Sequence, residues 1–146
     1  MTGPSPTPAP EPEPTPNLRV LVADDSLSFR DILCAFLQSL PGIELCGVAS
    51  NGLDALQIAA QTSPDLVLMD LAMPSLDGCE ATRRLKLGPQ APQVVLLSIC
   101  GDDELRQATR LAGADGFLNK CDVGARLPQV LQLVARRERV DHDRDP

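Results

Sequence analysis

Four apolar residues, Leu66-Val67-Leu68-Met69, stand between two carboxylates, Asp65 and Asp70, and Leu71-Ala72-Met73-Pro74 follow. A run this short and this apolar suits a strand buried on both faces, as in a parallel sheet. Such a strand ends by delivering Asp70 to the carboxyl edge of the sheet, where open α/β sheets place their chemistry. A second strand, Leu18 to Ala23, ends the same way in the adjacent pair Asp24-Asp25. Three carboxylates brought together repel one another and need a hard cation between them. Oxygen-rich sites of this kind suit Mg²⁺. Taken singly, each of these acids also reads as an ordinary strand-end residue in a turn; the pair of strands in this order favours the shared site.

The rest of the chain alternates in the same manner. After Asp24-Asp25, Ser26 can cap a helix with Phe29, Ile32, Leu33, Phe36, Leu37 and Leu40 inward, and Pro41-Gly42 stops it. Ile43 to Ala49 reads as a strand, and roughly Gly52 to Gln61 as a helix with Leu53 and Leu56 inward. Asp77 and Glu80 have capping-box spacing for a helix that runs to about Leu87. Gln93 to Ser98 is a further apolar strand, and Asp102, Asp103 and Glu104 open a helix that Gly113 can close. A short strand, Gly116 to Lys120, precedes a last helix of roughly Gly124 to Arg137, whose start Pro128 constrains. Five strands alternating with five helices predict a (βα)5 doubly wound α/β fold with a parallel sheet in the flavodoxin-like order 2-1-3-4-5. That order sets the first and third strands side by side, so Asp24, Asp25 and Asp70 meet at the switch point.

Both ends depart from this pattern. Residues 1–17 carry proline at every second position from Pro4 to Pro16, which supports neither helix nor sheet and predicts a disordered, extended arm. Residues 138–146 form a polar tail, leaving 18–137 as the one domain. The net charge of -7 argues against a direct nucleic-acid surface, and no apolar run approaches the ~20 residues of a membrane span. Cys34, Cys46, Cys79, Cys100 and Cys121 are an odd set without close pairing, which fits reduced thiols, mostly small core residues, in a cytoplasmic protein. The only histidine, His142, lies in the tail, so a histidine-based site is not expected.

Five fragments carry a family resemblance: Val-Leu-Val-Ala-Asp-Asp (20–25), Pro-Asp-Leu-Val-Leu-Met-Asp (64–70), Met-Pro-Ser-Leu-Asp-Gly (73–78), Val-Val-Leu-Leu-Ser (94–98) and Gly-Ala-Asp-Gly-Phe-Leu-Asn-Lys (113–120). In this order and spacing the chain resembles the receiver domain of two-component response regulators. The resemblance implies that Asp70 accepts a phosphoryl group from a sensor histidine kinase or a histidine phosphotransfer protein. It implies Mg²⁺ held by Asp25, Asp70 and the backbone carbonyl of Ala72, with Asp24 acting mostly through water. Ser98 and Lys120 would contact the phosphoryl oxygens, and Phe117 would be the switch aromatic. Ala72 and Cys100 match the positions that tune hydrolysis of the phosphorylated state. Phosphoryl transfer needs positioning and charge neutralisation more than covalent help, so these residue types suit it.

The implied role is a signalling switch that binds a downstream protein target, with no enzymatic activity beyond its own phosphoryl transfer and autodephosphorylation. A phosphorylation-independent interaction module is the competing role. A phosphohydrolase with an aspartyl-phosphate intermediate is disfavoured, because such enzymes carry a second Asp where Ala72 stands. Cys121 occupies a place that is often proline, which predicts a trans bond after Lys120. Receivers with a similar Gly-Ala-Asp-Gly-Phe-Leu segment are joined to helix-turn-helix output domains. Nine residues after Arg137 cannot form one, so the expectation is a stand-alone receiver or one separated from its output domain.

Overall fold

The computed structural model describes Gly3, residues 17–99 and residues 101–136. Most of the expected arm, all of the expected tail, Arg137 and Cys100 lie outside the described residues.

The strands are β1 (Leu18–Ala23), β2 (Ile43–Ala49), β3 (Leu66–Asp70), β4 (Gln93–Ser98) and β5 (Gly116–Asn119). The helices are α1 (Leu27–Gln38), α2 (Gly52–Thr62), α3 (Gly78–Lys86), α4 (Asp103–Leu111) and α5 (Val123–Ala135). All strand pairs are parallel and the order is β2-β1-β3-β4-β5, as the sequence predicts.

Side-chain alternation splits the core in two. Val20, Val22, Leu66, Leu68, Val95, Leu97 and Leu118 face Leu33 and Leu37 of α1 and Leu127, Val130, Leu131 and Val134 of α5. Leu21, Ala23, Val67, Met69, Val94 and Leu96 face Ala55 and Ala59 of α2 and Ala81 and Leu85 of α3. β3 is buried along its whole length, which is why its sequence is continuously apolar rather than alternating.

Several local expectations are corrected. Ile32 is 68% exposed and Leu53 51% exposed. Ile32 sits at the edge of a stripe centred on Leu33 and Leu37, and Leu53 lies in the first turn of α2, where only Gly52 and Ala55 meet the core. Ser26 takes the N-cap position of α1, but its side chain makes no cap hydrogen bond. The Asp77 half of the capping box forms, accepting from the Glu80 N–H at 2.8 Å. Glu80 instead reaches forward to Arg83 and Arg84. β5 stops at Asn119, and a 3-10 turn over Lys120–Asp122 leads into α5. α5 therefore begins one residue before Gly124, with Pro128 in its second turn; Gly124, whose carbonyl the missing N–H would have met, is exposed to water. Of the cysteines, Cys34, Cys46 and Cys79 are half-buried and Cys121 is exposed, so none of these four is a fully enclosed core residue.

Backbone hydrogen bonds help to fix the loop between Asp70 and α3, beside the buried Met73 side chain. Leu71 N–H donates to the Leu97 carbonyl at 2.8 Å, and Gly78 N–H to the Leu71 carbonyl at 2.9 Å. A Cβ on Gly78 would stand 2.6 Å from the Asp70 carbonyl oxygen and 2.9 Å from Leu71 Cα. Ala is ordinarily the better helix former, yet here it must push the loop off the end of β3. Gly78→Ala is expected to destabilise the chain by about 2 kcal/mol, an overpacking cost, measured by urea unfolding. A variant as stable as wild type would show that the loop can move away freely.

Candidate functional site

The pairing register builds the site one strand at a time. Ala23 lies opposite Met69, so the residues that follow, Asp24 and Asp70, emerge side by side. Asp70 lies opposite Leu97, and Ser98 opposite Asn119. Lys120 comes next in the chain, so β5 hands a cation to the edge that β1 and β3 furnish with anions.

The structure brings together Asp24, Asp25, Asp70 and Lys120. One carboxylate oxygen from each of the three acids lies within 4.8 Å of the others. Asp24 is fully buried, Asp70 is 6% exposed, and Asp25 faces solvent. Lys120 Nζ is 2.8 Å from Asp24 Oδ2 and 3.3 Å from Asp70 Oδ2. Asp24 Oδ1 accepts the Ser26 N–H at 2.8 Å, and Asp70 Oδ1 accepts the Ala72 N–H at 3.2 Å. Burial, and then the neighbouring Asp24 charge, push the Asp70 carboxyl up to about 6; Lys120 and the Ala72 N–H pull the other way without prevailing. Burial pulls the Lys120 ammonium down, but its two carboxylate neighbours together outweigh that and raise it.

The donor set fits a small divalent cation. Carboxylate oxygens around an octahedral Mg²⁺ lie about 3 to 4 Å apart, within a small rotation of the spacing seen here. Asp24 Oδ2 is buried, with the Lys120 ammonium 2.8 Å away. Two anions in the dry part of the cleft and a third at its mouth face the Lys120 ammonium, and the Arg30 guanidinium reaches the Asp24 carbonyl at 3.5 Å rather than the carboxylates.

Ser98 ends β4 and Phe117 lies in β5. Ser98 is buried at the end of β4. Alternation along β4 and β5 puts it on the face of Leu96 and Phe117, the α2/α3 side of the sheet. Phe117 is half-buried, with the Arg106 guanidinium of α4 5.6 Å from its ring centre. Ala72 enters with its N–H on Asp70; Cys100 is outside the described residues.

Sequence reasoning missed three contributors. Phe29 places its ring 4.5 Å beneath Lys120 Nζ. Gly52 allows α2 to rest on the loop at Leu76, where a Cβ would come within 2.2 Å of the carbonyl oxygen. Asn119 accepts the Cys121 N–H at 2.9 Å and caps the turn that carries Lys120. Proline at 121 would lack that N–H; the Lys120–Cys121 bond is trans, as expected, since no described peptide bond is cis.

The five-stranded parallel sheet gathers three aspartates and a lysine at its switch point. The chain belongs to the response regulator receiver domain family, whose model matches residues 20–132. It is 46% identical over 104 residues to protein-glutamate methylesterase/protein-glutamine glutaminase 5 of Myxococcus xanthus, covering 70% of this chain and 30% of that protein. It is 35% identical over 121 residues to the transcriptional regulatory protein LiaR of Bacillus subtilis, covering 83% of this chain and 57% of that one. The chain thus spans between about a third and a little over half of these curated relatives. The signal receiver domain of the response regulator NarL from Mycobacterium tuberculosis superposes with a TM-score of 0.79 at 26% identity, covering 83% of this chain and 98% of that one. The response regulator domain of Thermotoga maritima CheB gives 0.73 at 27% identity, covering 89% and 99%. No helix among the described residues is long and apolar enough to cross a membrane.

Proposed function

We propose that residues 18–137 form a receiver that takes a phosphoryl group onto Asp70 from a phosphohistidine donor and thereby switches binding of a downstream protein. The donor is a sensor histidine kinase or a histidine phosphotransfer protein, and the setting is the cytoplasm. Residues 1–17 and 138–146 are read as an arm and a tail outside the switch. One observation carries this reading: Asp70 is buried beside Asp24 with Lys120 Nζ at 3.3 Å. An Asp70 oxygen forms the new bond to phosphorus while the donor's phosphorus–nitrogen bond breaks, its electron pair returning to the imidazole. Lys120 holds positive charge where the phosphoryl oxygens arrive, and Asp25, Asp70 and the Ala72 carbonyl, with Asp24 through water, would hold Mg²⁺. When bound, Mg²⁺ supplies the further charge that the phosphoryl oxygens and the acidic cluster need. The chain's own chemistry ends with phosphoryl transfer and autodephosphorylation.

Incubation with acetyl phosphate and Mg²⁺, followed by intact mass measurement, tests the proposal. The expected result is a gain of one phosphoryl group that chelator prevents. An unchanged mass would favour a phosphorylation-independent interaction module.

Two further expectations follow from the same residues. Millimolar Mg²⁺ should raise the melting temperature, because a ligand bound only by the folded state stabilises it by mass action. Asp25→Ala should remove that rise; a wild-type chain indifferent to Mg²⁺ would count against the metal site. In the phosphorylated state Ser98 is expected to move toward the phosphoryl group and Phe117 to fill the space it leaves, since the two share a face. Beryllofluoride should therefore shift NMR signals of α4 and β5, and shifts confined to the neighbourhood of Asp70 would contradict the switch.

A further inference from the structure

We propose that Phe29 is a positioning residue for Lys120, its ring serving as a cation–π platform that keeps the ammonium over the Asp24–Asp70 cleft. The inference rests on the proposed function, in which Lys120 meets the phosphoryl oxygens. Phe29 lies in the first turn of α1 and is held against the core cluster beneath β1 and β3, so its ring is anchored. Lys120 Nζ is 4.5 Å from the ring centre, 2.8 Å from Asp24 Oδ2 and 3.3 Å from Asp70 Oδ2. The Lys120 side chain is only 11% exposed, so little water competes for the ring face. A lysine is a compact charge on a flexible four-carbon stem, and two carboxylates alone do not fix its direction. Their hold also weakens when a divalent cation shares their charge. The ring's attraction for a cation does not depend on the charge state of Asp24 or Asp70, so it persists as the cluster changes partners.

The test compares wild type, Phe29→Leu and Phe29→Tyr, Leu keeping an apolar filler and Tyr keeping the ring face. The sequence has three phenylalanines and neither tyrosine nor tryptophan, so a ring-current shift at Lys120 has few possible sources. In metal-free protein the Lys120 ε-methylene protons should be shifted upfield in wild type and Phe29→Tyr, and return toward the ordinary position in Phe29→Leu. At saturating Mg²⁺ the initial rate of phosphorylation by acetyl phosphate should fall about five-fold in Phe29→Leu and be retained in Phe29→Tyr. The Mg²⁺ concentration for half-saturation should stay as in wild type. An ε-methylene shift that Phe29→Leu leaves unmoved overturns the inference. So does a Phe29→Leu rate equal to wild type, a Phe29→Tyr rate as low as that of Phe29→Leu, or a slowing that weaker Mg²⁺ binding explains in full. A wild-type chain that takes no phosphoryl group overturns the proposed function and this inference with it; a wild-type chain that does, beside an equally fast Phe29→Leu, overturns this inference alone.

Discussion

Lys120→Met is expected to destabilise the metal-free chain by about 3 kcal/mol, read from the urea midpoint, because it strands buried charge. Asp24 is fully buried. Lys120 Nζ is the cation 2.8 Å from its Oδ2, and Asp70 leans on the same ammonium at 3.3 Å. Methionine keeps most of the stem's packing and removes the charge, so the loss reports electrostatics rather than a cavity. Added Mg²⁺ should recover much of the loss by supplying a counter-charge to the same carboxylates. A midpoint that does not move would mean that the carboxylates are satisfied without Lys120.

Asp70→Asn is expected to act in two directions at once. It should abolish phosphorylation completely, since the amide nitrogen and oxygen cannot replace the attacking carboxylate. It should also stabilise the metal-free chain above pH 6 by removing one of two anions packed together. The sign follows from the protons bound. Asp70 titrates at about 6 in the folded chain, above its ordinary value of 3.8, with burial the larger cause and Asp24 the next. Between those values the folded state binds more protons than the unfolded state, so this group's contribution falls as pH rises through the window. Below pH 3.8 the group has its full favourable effect relative to higher pH; above about 6 that effect is gone. Urea unfolding of metal-free wild type against Asp70→Asn across pH 4 to 7 should show the stability difference growing in favour of the variant as pH rises. A constant difference would show that Asp70 is not held above its ordinary value.

These electrostatic features were partly legible in the sequence. Apolar runs ending in Asp24-Asp25 and in Asp70 marked buried strands, because a strand enclosed on both faces leaves no polar alternation, and the strand–helix alternation with right-handed crossovers restricted their order. From that order the meeting of the three carboxylates followed geometrically. Contacts set by helix rotation and by loop packing were not legible. Ile32 and Leu53 have the right chemistry for the core but sit at the margin of their helices' buried faces, which a periodicity cannot resolve to one residue. Phe29 read as one more apolar position of α1, since nothing in its own segment says that Lys120, which follows the last strand, will lie over its ring. Gly52 read as a helix start and Gly78 as part of the 73–78 fragment; that each admits a backbone carbonyl where a Cβ would stand depends on two segments meeting. The Lys86–Asp115 ion pair, whose carboxylate also takes the Val94 N–H, ties α3 to the start of β4 and β5 in a way that local spacing does not reveal.

The central claim is that the buried carboxylate of Asp70 is the phosphoryl acceptor. After treatment with acetyl phosphate and Mg²⁺, reduction by borohydride converts an aspartyl phosphate to homoserine, and peptide mass spectrometry then locates it. The account predicts homoserine at position 70 alone and none when Mg²⁺ is chelated. Homoserine at position 24 or 25, or phosphate on a hydroxyl side chain with position 70 still aspartate, would contradict it.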